Sequence, residues 1–127
     1  MNNRSRNSEA AQRFAERRQR EDAAPRLREV VPNLATLRIE VDERRGMANA
    51  GDPKHVRLVV VDSAPALFEI PCGDKSCKEG GHDLTDGVLR SLNAGATRFE
   101  LEDTCHGNVG KAFCGTLMHV QVTATYR

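Results

Sequence analysis

Tryptophan is absent from this sequence, tyrosine occurs once, and aromatics make up only 4% of residues. Any core must therefore be mainly aliphatic. Yet 14 of the residues within the 39% apolar share are alanines, which each bury little surface. At 127 residues the chain fits one domain with at most a tail, and a thin core of that size favours an added staple such as a metal or disulfides. No apolar run approaches the roughly 18 residues of a membrane helix. The opening residues, MNNRSRNSEA, lack the apolar segment of a secretory signal. The expectation is a cytoplasmic protein without a membrane partner, in which clustered thiols stay reduced. Glycine-rich phosphate loops of the GxGxxG and P-loop kinds are missing, as is the HxE…PCxxC signature of deaminases, so no small-molecule substrate is inferred.

Basic and acidic residues nearly balance, at a net +1, but their distribution is uneven. Residues 1–30 carry eight arginines and five acids, whereas 31–127 carry eleven basic and thirteen acidic groups. The sequence divides accordingly into a basic arm, 1–30, partly helical or disordered, and a folded domain, 31–127. Within the arm, residues 1–7 are expected to be disordered. Ser8 is placed to cap a polar helix of good helix formers that Pro25 ends. Its apolar stripe is thin, so packing supports it little. Arg4, Arg6, Arg13, Arg17, Arg18 and Arg20 are the candidate contacts to RNA or a protein partner.

The domain reads as strands with one clear helix. Residues 35–41, ATLRIEV, alternate strictly, with Ala35, Leu37, Ile39 and Val41 on the inner face. A loop, ERRGMANAGDPK, leads to strands at 56–62 and 66–71, which together predict a three-stranded antiparallel meander. DLTDGVLRSLNAG, 83–95, is the helix: Asp83 or Thr85 caps it, Leu84, Val88, Leu89 and Leu92 share a face, and Gly95 suits the C-terminal cap. Strands at 97–103 and 116–126 follow, with Phe99 and Leu101, then Met118, Val120, Val122, Ala124 and Tyr126, facing in. The predicted class is α+β: an antiparallel sheet of about five strands, one packed helix, and a polar N-terminal helix before them.

The chain's four cysteines sit at strand ends, as Cys72 and Cys77 in CGDKSCKEGGHD and as Cys105 and Cys114 in CHGNVGKAFCG. Two pairs on two loops can converge on one tetrahedral ion, and thiolates suit zinc. The spacers of four and eight residues are longer than the two to four typical of zinc loops, but Gly107, Gly110 and Gly115 let the second loop curl back. Disulfides and unrelated buried thiols are the other readings. His82 is an alternative ligand that can replace Cys77. His55, His106 and His119 are weaker candidates, and His119 falls on the outward face of the last strand. If Cys77 were free, the other three cysteines would be able to hold a zinc-bound water with His82 or Asp83 as base. Lys75 and Lys78, with Arg44 and Arg45, add charge near the loops.

The arrangement resembles zinc ribbons over roughly 66–126. The resemblance implies one structural Zn2+ per chain at Cys72, Cys77, Cys105 and Cys114, a zinc-ribbon-like fold, and a role in binding nucleic acid or protein. Here the loops are longer and a helix separates them. The expected function is a non-enzymatic zinc-stabilised module docking on RNA, ribonucleoprotein or transcription machinery. The alternatives are a protein–protein adaptor without nucleic acid and a small zinc-dependent hydrolase.

Overall fold

A computed structural model describes residues 3–44, 55–73, 77–78 and 80–127. The elements are α1 (Asn3–Ala23), α2 (Leu27–Val30), β1 (Leu34–Arg44), β2 (His55–Val59), β3 (Glu69–Ile70), β4 (Cys77–Lys78), β5 (His82–Asp83), α3 (Thr85–Asn93), β6 (Arg98–Thr104), β7 (Asn108–Val109), β8 (Ala112–Phe113) and β9 (Leu117–Tyr126). The class is α+β, built on a four-stranded antiparallel sheet in the order β2-β1-β9-β6. No helix among the described residues is long and apolar enough to cross a membrane.

The predicted meander is corrected at its third strand. The segment 66–71 leaves the sheet, so β2 is an edge strand, and β9, the last strand, pairs with the other side of β1. Phe68 shows why. Its carbonyl accepts from Leu84 N–H at 2.9 Å and its N–H donates to Thr85 Oγ1 at 2.9 Å, so the start of α3 satisfies the groups a ladder would use. Pro65, just before the segment, and Pro71, its last residue, have no backbone N–H to donate. Only Glu69–Ile70 forms a strand, and it pairs with β5.

The alternation in β1 holds for Leu37, Ile39 and Val41, all buried. It slips at the start, where a register shift between Leu34 and Thr36 turns Leu34 inward and leaves Ala35 half-buried. β1 also runs on through Arg44, beyond the predicted strand end, while the rest of the expected loop, 45–54 with Arg45, lies outside the described residues. β2 ends at Val59, and Val56, Leu58 and Val60 face solvent.

α3 keeps the predicted apolar face and C-terminal glycine, but its N-cap is Leu84, which makes no side-chain cap hydrogen bond, rather than Asp83 or Thr85. Asp83 Oδ1 accepts from Thr85 N–H at 3.1 Å, while the Thr85 hydroxyl turns to Phe68 instead. At the other end Gly95, at φ 79°, closes a Schellman turn: Ala96 N–H donates to Ser91 O and Gly95 N–H to Leu92 O, both at 3.0 Å. The predicted face is seated, with Leu84, Val88 and Leu92 buried and Leu89 partly so.

The N-terminal helix begins at Asn3, so the expected disorder over 3–7 gives way to helix and Ser8 lies inside it; residues 1 and 2 are outside the described set. Arg26 explains how its far end is held. The guanidinium donates to the carbonyls of Glu21 at 2.9 Å and Ser63 at 3.2 Å, satisfying a carbonyl of the last turn. Leu27 N–H donates to Ala64 O at 2.9 Å, and Leu27 is fully buried. The packed core thus takes in residues before 31.

Leu92→Ala should remove a buried side chain from the α3 face and destabilise the protein by about 3 kcal/mol in urea denaturation, without changing the metal content of the folded state. A loss below about 1 kcal/mol would mean that α3 does not seat on this core.

Candidate metal centre

The second cysteine pair is delivered by the end of the main sheet. β6 and β9 pair up to Thr104 and Leu117, and the ladder continues one step as Cys105 N–H donates to Thr116 O at 2.8 Å. The eight-residue spacer then folds on itself. β7 and β8 form a hairpin turned at Gly110, whose φ of 61° is the left-handed conformation glycine tolerates. Cys114 N–H closes onto Gly107 O at 2.9 Å. The loop that looked too long in sequence is thus a compact finger. β7 also pairs with β4, Cys77 opposite Val109, which brings in the first loop. Cys72 arrives just after β3. Lys78 lies in β4, and Lys75 is outside the described residues.

None of the four cysteines is in a disulfide, and their sulfurs lie within 4.8 Å of one another, close enough to hold one metal ion. Cys72 and Cys114 are 3.8 Å apart, and Cys77 and Cys105 are 3.6 Å apart. A tetrahedron of sulfurs about 2.3 Å from a central ion has edges of about 3.8 Å, so these separations fit a shared cation. Gly107 N–H points at Cys105 Sγ, at 3.5 Å.

The thiols differ electrostatically. Burial, then hydrogen bonding to Cys105, pushes the Cys77 thiol well above its ordinary range. The buried Thr116 hydroxyl, 3.2 Å from Cys114 Sγ, donates to the thiolate and lowers Cys114 to about 7. One sulfur is thus ready to ionise while another resists. Like charges this close do not all ionise unaided, and a cation removes the conflict.

Gly80 fits the same reading. A Cβ there would collide with the sulfurs of both Cys77 and Cys105. Gly81, next to it, has φ 138°, a conformation other residues rarely adopt.

His82 is buried and lies beside the cluster, with its Nδ1 2.7 Å from Asp103 Oδ2. It groups with Glu43 and Cys72, whereas the four-sulfur set is complete without it. His106 stands apart, tilted against Phe113 with ring centroids 5.7 Å apart. His119 is on the outer face, as the alternation predicts, 3.5 Å from Glu100. His55 begins β2.

The arm arginines are dispersed. Arg20 makes a forked contact with the Glu69 carboxylate, at 2.8 to 3.0 Å, and this hydrogen bonding raises its already high pKa. Arg17 donates to Glu69 O at 3.0 Å and lies 3.3 Å from Glu21. Arg13 and Arg18 are exposed. Arg4 and Arg6 are in α1, but their side chains are outside the described set.

Glu43, Gly80, Asp103 and Thr116 were missed in the sequence. For Asp103 the signal was present: Leu101 faces in, so the same period-2 alternation carries Asp103 and Cys105 inward. Glu43 follows Val41 by the same rule, although it and the residues after it read as a loop.

Compared with family models, curated proteins and solved structures, the chain matches none.

Gly80→Ala should weaken metal retention by about 10–100-fold, as changes to ligand-positioning residues do, when the protein competes with a chromogenic chelator. Unchanged affinity would show that the sulfurs do not close against this backbone.

Proposed function

We propose that this protein is a non-enzymatic binding module whose cysteine loops are closed by one structural Zn2+, and that it docks on RNA or ribonucleoprotein through α1. The observation that carries the zinc reading is the convergence of Cys72, Cys77, Cys105 and Cys114 within 4.8 Å. Four thiolates complete the tetrahedral coordination of a structural zinc and leave no position for a substrate water. A hydrolase at this centre would need one of them withdrawn. The likeness to a zinc ribbon is supported by the short β-ribbons that present the cysteines, β3 with β5 and β4 with β7 and β8. It departs from one in the intervening α3 and the larger sheet.

α1 supports the RNA reading. The helix runs 21 residues and is exposed along 11–20 except at Arg17. Arg17, Arg20 and Arg26 anchor its C-terminal end to the body. That leaves Arg13 and Arg18, with Arg4 and Arg6 further along the helix, for phosphates. Arg17 and Arg20 are already engaged by the chain's own Glu69, which narrows the basic surface. The second reading, a protein adaptor, draws support from the edge strand β2, where Val56 and Leu58 are exposed, and from Val60 just beyond it, also exposed.

Purified protein should carry one tightly held Zn2+ per chain, with four thiols reactive only after denaturation. Stripping it with a strong chelator should lower the thermal midpoint by more than about 10 °C, since binding energy becomes folding energy. A metal-free protein with an unchanged midpoint would sink the structural-zinc reading. For the partner, replacing Arg13 and Arg18 together by alanine should weaken RNA binding and reduce the slope of log affinity against log salt by about 2. Affinity independent of these arginines, with capture of a partner that resists nuclease and high salt, would favour the adaptor instead.

A further inference from the structure

We infer that Glu43, Cys72 and His82 form a second cation site, which shares the Cys72 sulfur with the four-cysteine centre and takes a divalent transition-metal ion such as Zn2+ or Co2+. A Glu43 carboxylate oxygen, the Cys72 sulfur and a ring nitrogen of His82 lie within 4.8 Å of one another. The inference goes beyond the structural-zinc reading; it shares Cys72 with that site, and its charge argument rests on that reading.

His82 is the observation that points to a ligand. Its side chain is fully buried, and Nδ1 is occupied by Asp103 at 2.7 Å. Nε2 is equally buried and has no hydrogen-bond partner among the described residues. Burying a polar nitrogen without a partner is unfavourable, and ligation to a cation would satisfy it. Its neighbours in the cluster, a carboxylate and a sulfur, are both groups that bind cations.

The outer contacts match those of metal ligands. Asp103 holds the ring through Nδ1, the kind of carboxylate contact that orients ligating histidines. Glu43 is held in turn: Gly73 N–H donates to its carboxylate, with distances of 2.9 and 3.2 Å to the two oxygens. Both non-sulfur donors are thus oriented by groups outside the site. β1 and β6 set this up from opposite sides of β9, where Glu43 and Asp103 each pair with Met118.

Charge argues the same way. Four thiolates around one divalent cation leave a net double negative charge. Glu43 and Asp103 add carboxylates beside it, and a second dication offsets the excess. A mixed nitrogen, oxygen and sulfur set suits zinc or cobalt rather than magnesium or calcium, which prefer oxygen alone. Three protein donors leave one position, to be filled by water or by a small anionic ligand.

The test counts Co2+ on the full chain. Metal-free protein, prepared under reducing conditions, is titrated with Co2+, and bound ions are counted by native mass spectrometry beside the thiolate-to-cobalt absorption. The wild type should bind two ions per chain. Glu43→Gln and His82→Gln should each bind one and keep the absorption of the four-cysteine centre. Glu43→Gln carries the test if His82→Gln fails to fold, because Glu43 is half-buried at a strand end and glutamine still accepts from Gly73 N–H. One ion in the wild type, or two in Glu43→Gln, would overturn the second site and leave the four-cysteine reading standing. No ion in the wild type would overturn both.

Discussion

Four sulfurs held within 4.8 Å at one end of a sheet impose the constraint on which the loop half of this molecule depends. Among the described residues of 71–81 and 106–115, no apolar side chain is buried. Those segments cannot be held by hydrophobic burial, and their two-residue strands contribute few hydrogen bonds. What they share is the sulfur cluster, and thiols at these distances need a cation if they are to ionise together. Gly80 passes so close to two sulfurs that it leaves no room for a side chain. The backbone there follows the cluster rather than a core.

The core and the cluster are nevertheless one continuous surface. Along the inner face of the sheet, Leu101, Val120 and Val41 make one cross-strand row, and Asp103, Met118 and Glu43 make the next. One step further come Cys105 and Thr116. The period-2 alternation that fills the core therefore delivers polar and sulfur groups once the apolar residues run out. β9 is central to this, since it lies between β1 and β6 and holds both carboxylates in register across Met118. A site built from strand ends is more rigid than one built from loops alone.

α1 obeys different physics. Among its described side chains, 11–23, none is fully buried, and Phe14 is exposed. Its stability comes from helix propensity and from the arginine contacts at its C-terminal end. Arg20 on Glu69 also links the helix to β3, the strand that leads into Cys72. A partner binding along the helix would thus lie near the metal centre, and this is the physical link between the two halves of the proposed function.

Much of the local structure, and the grouping of four thiols in two loops, could be read from sequence alone. Alternation placed β1, β6 and β9, the Leu84–Leu92 face with Gly95 placed α3, and the cysteine pairs marked their own meeting point. These are short-range signals, carried by residues a few positions apart. The tertiary structure decided what depends on distant residues meeting. The segment at 66–71 alternates well enough to read as a sheet strand, yet α3 claims the backbone of Phe68. Leu27 reads as part of a polar arm, yet it fills the core, because only the fold shows the space beneath Ala64. The eight-residue spacer looks too long for a metal loop until β7 and β8 pair. Glu43, Asp103 and His82 lie far apart in the chain and become neighbours only because β9, the last strand, inserts between β1 and β6. No local pattern encodes that insertion, since strand order is settled by which long apolar faces pack best together.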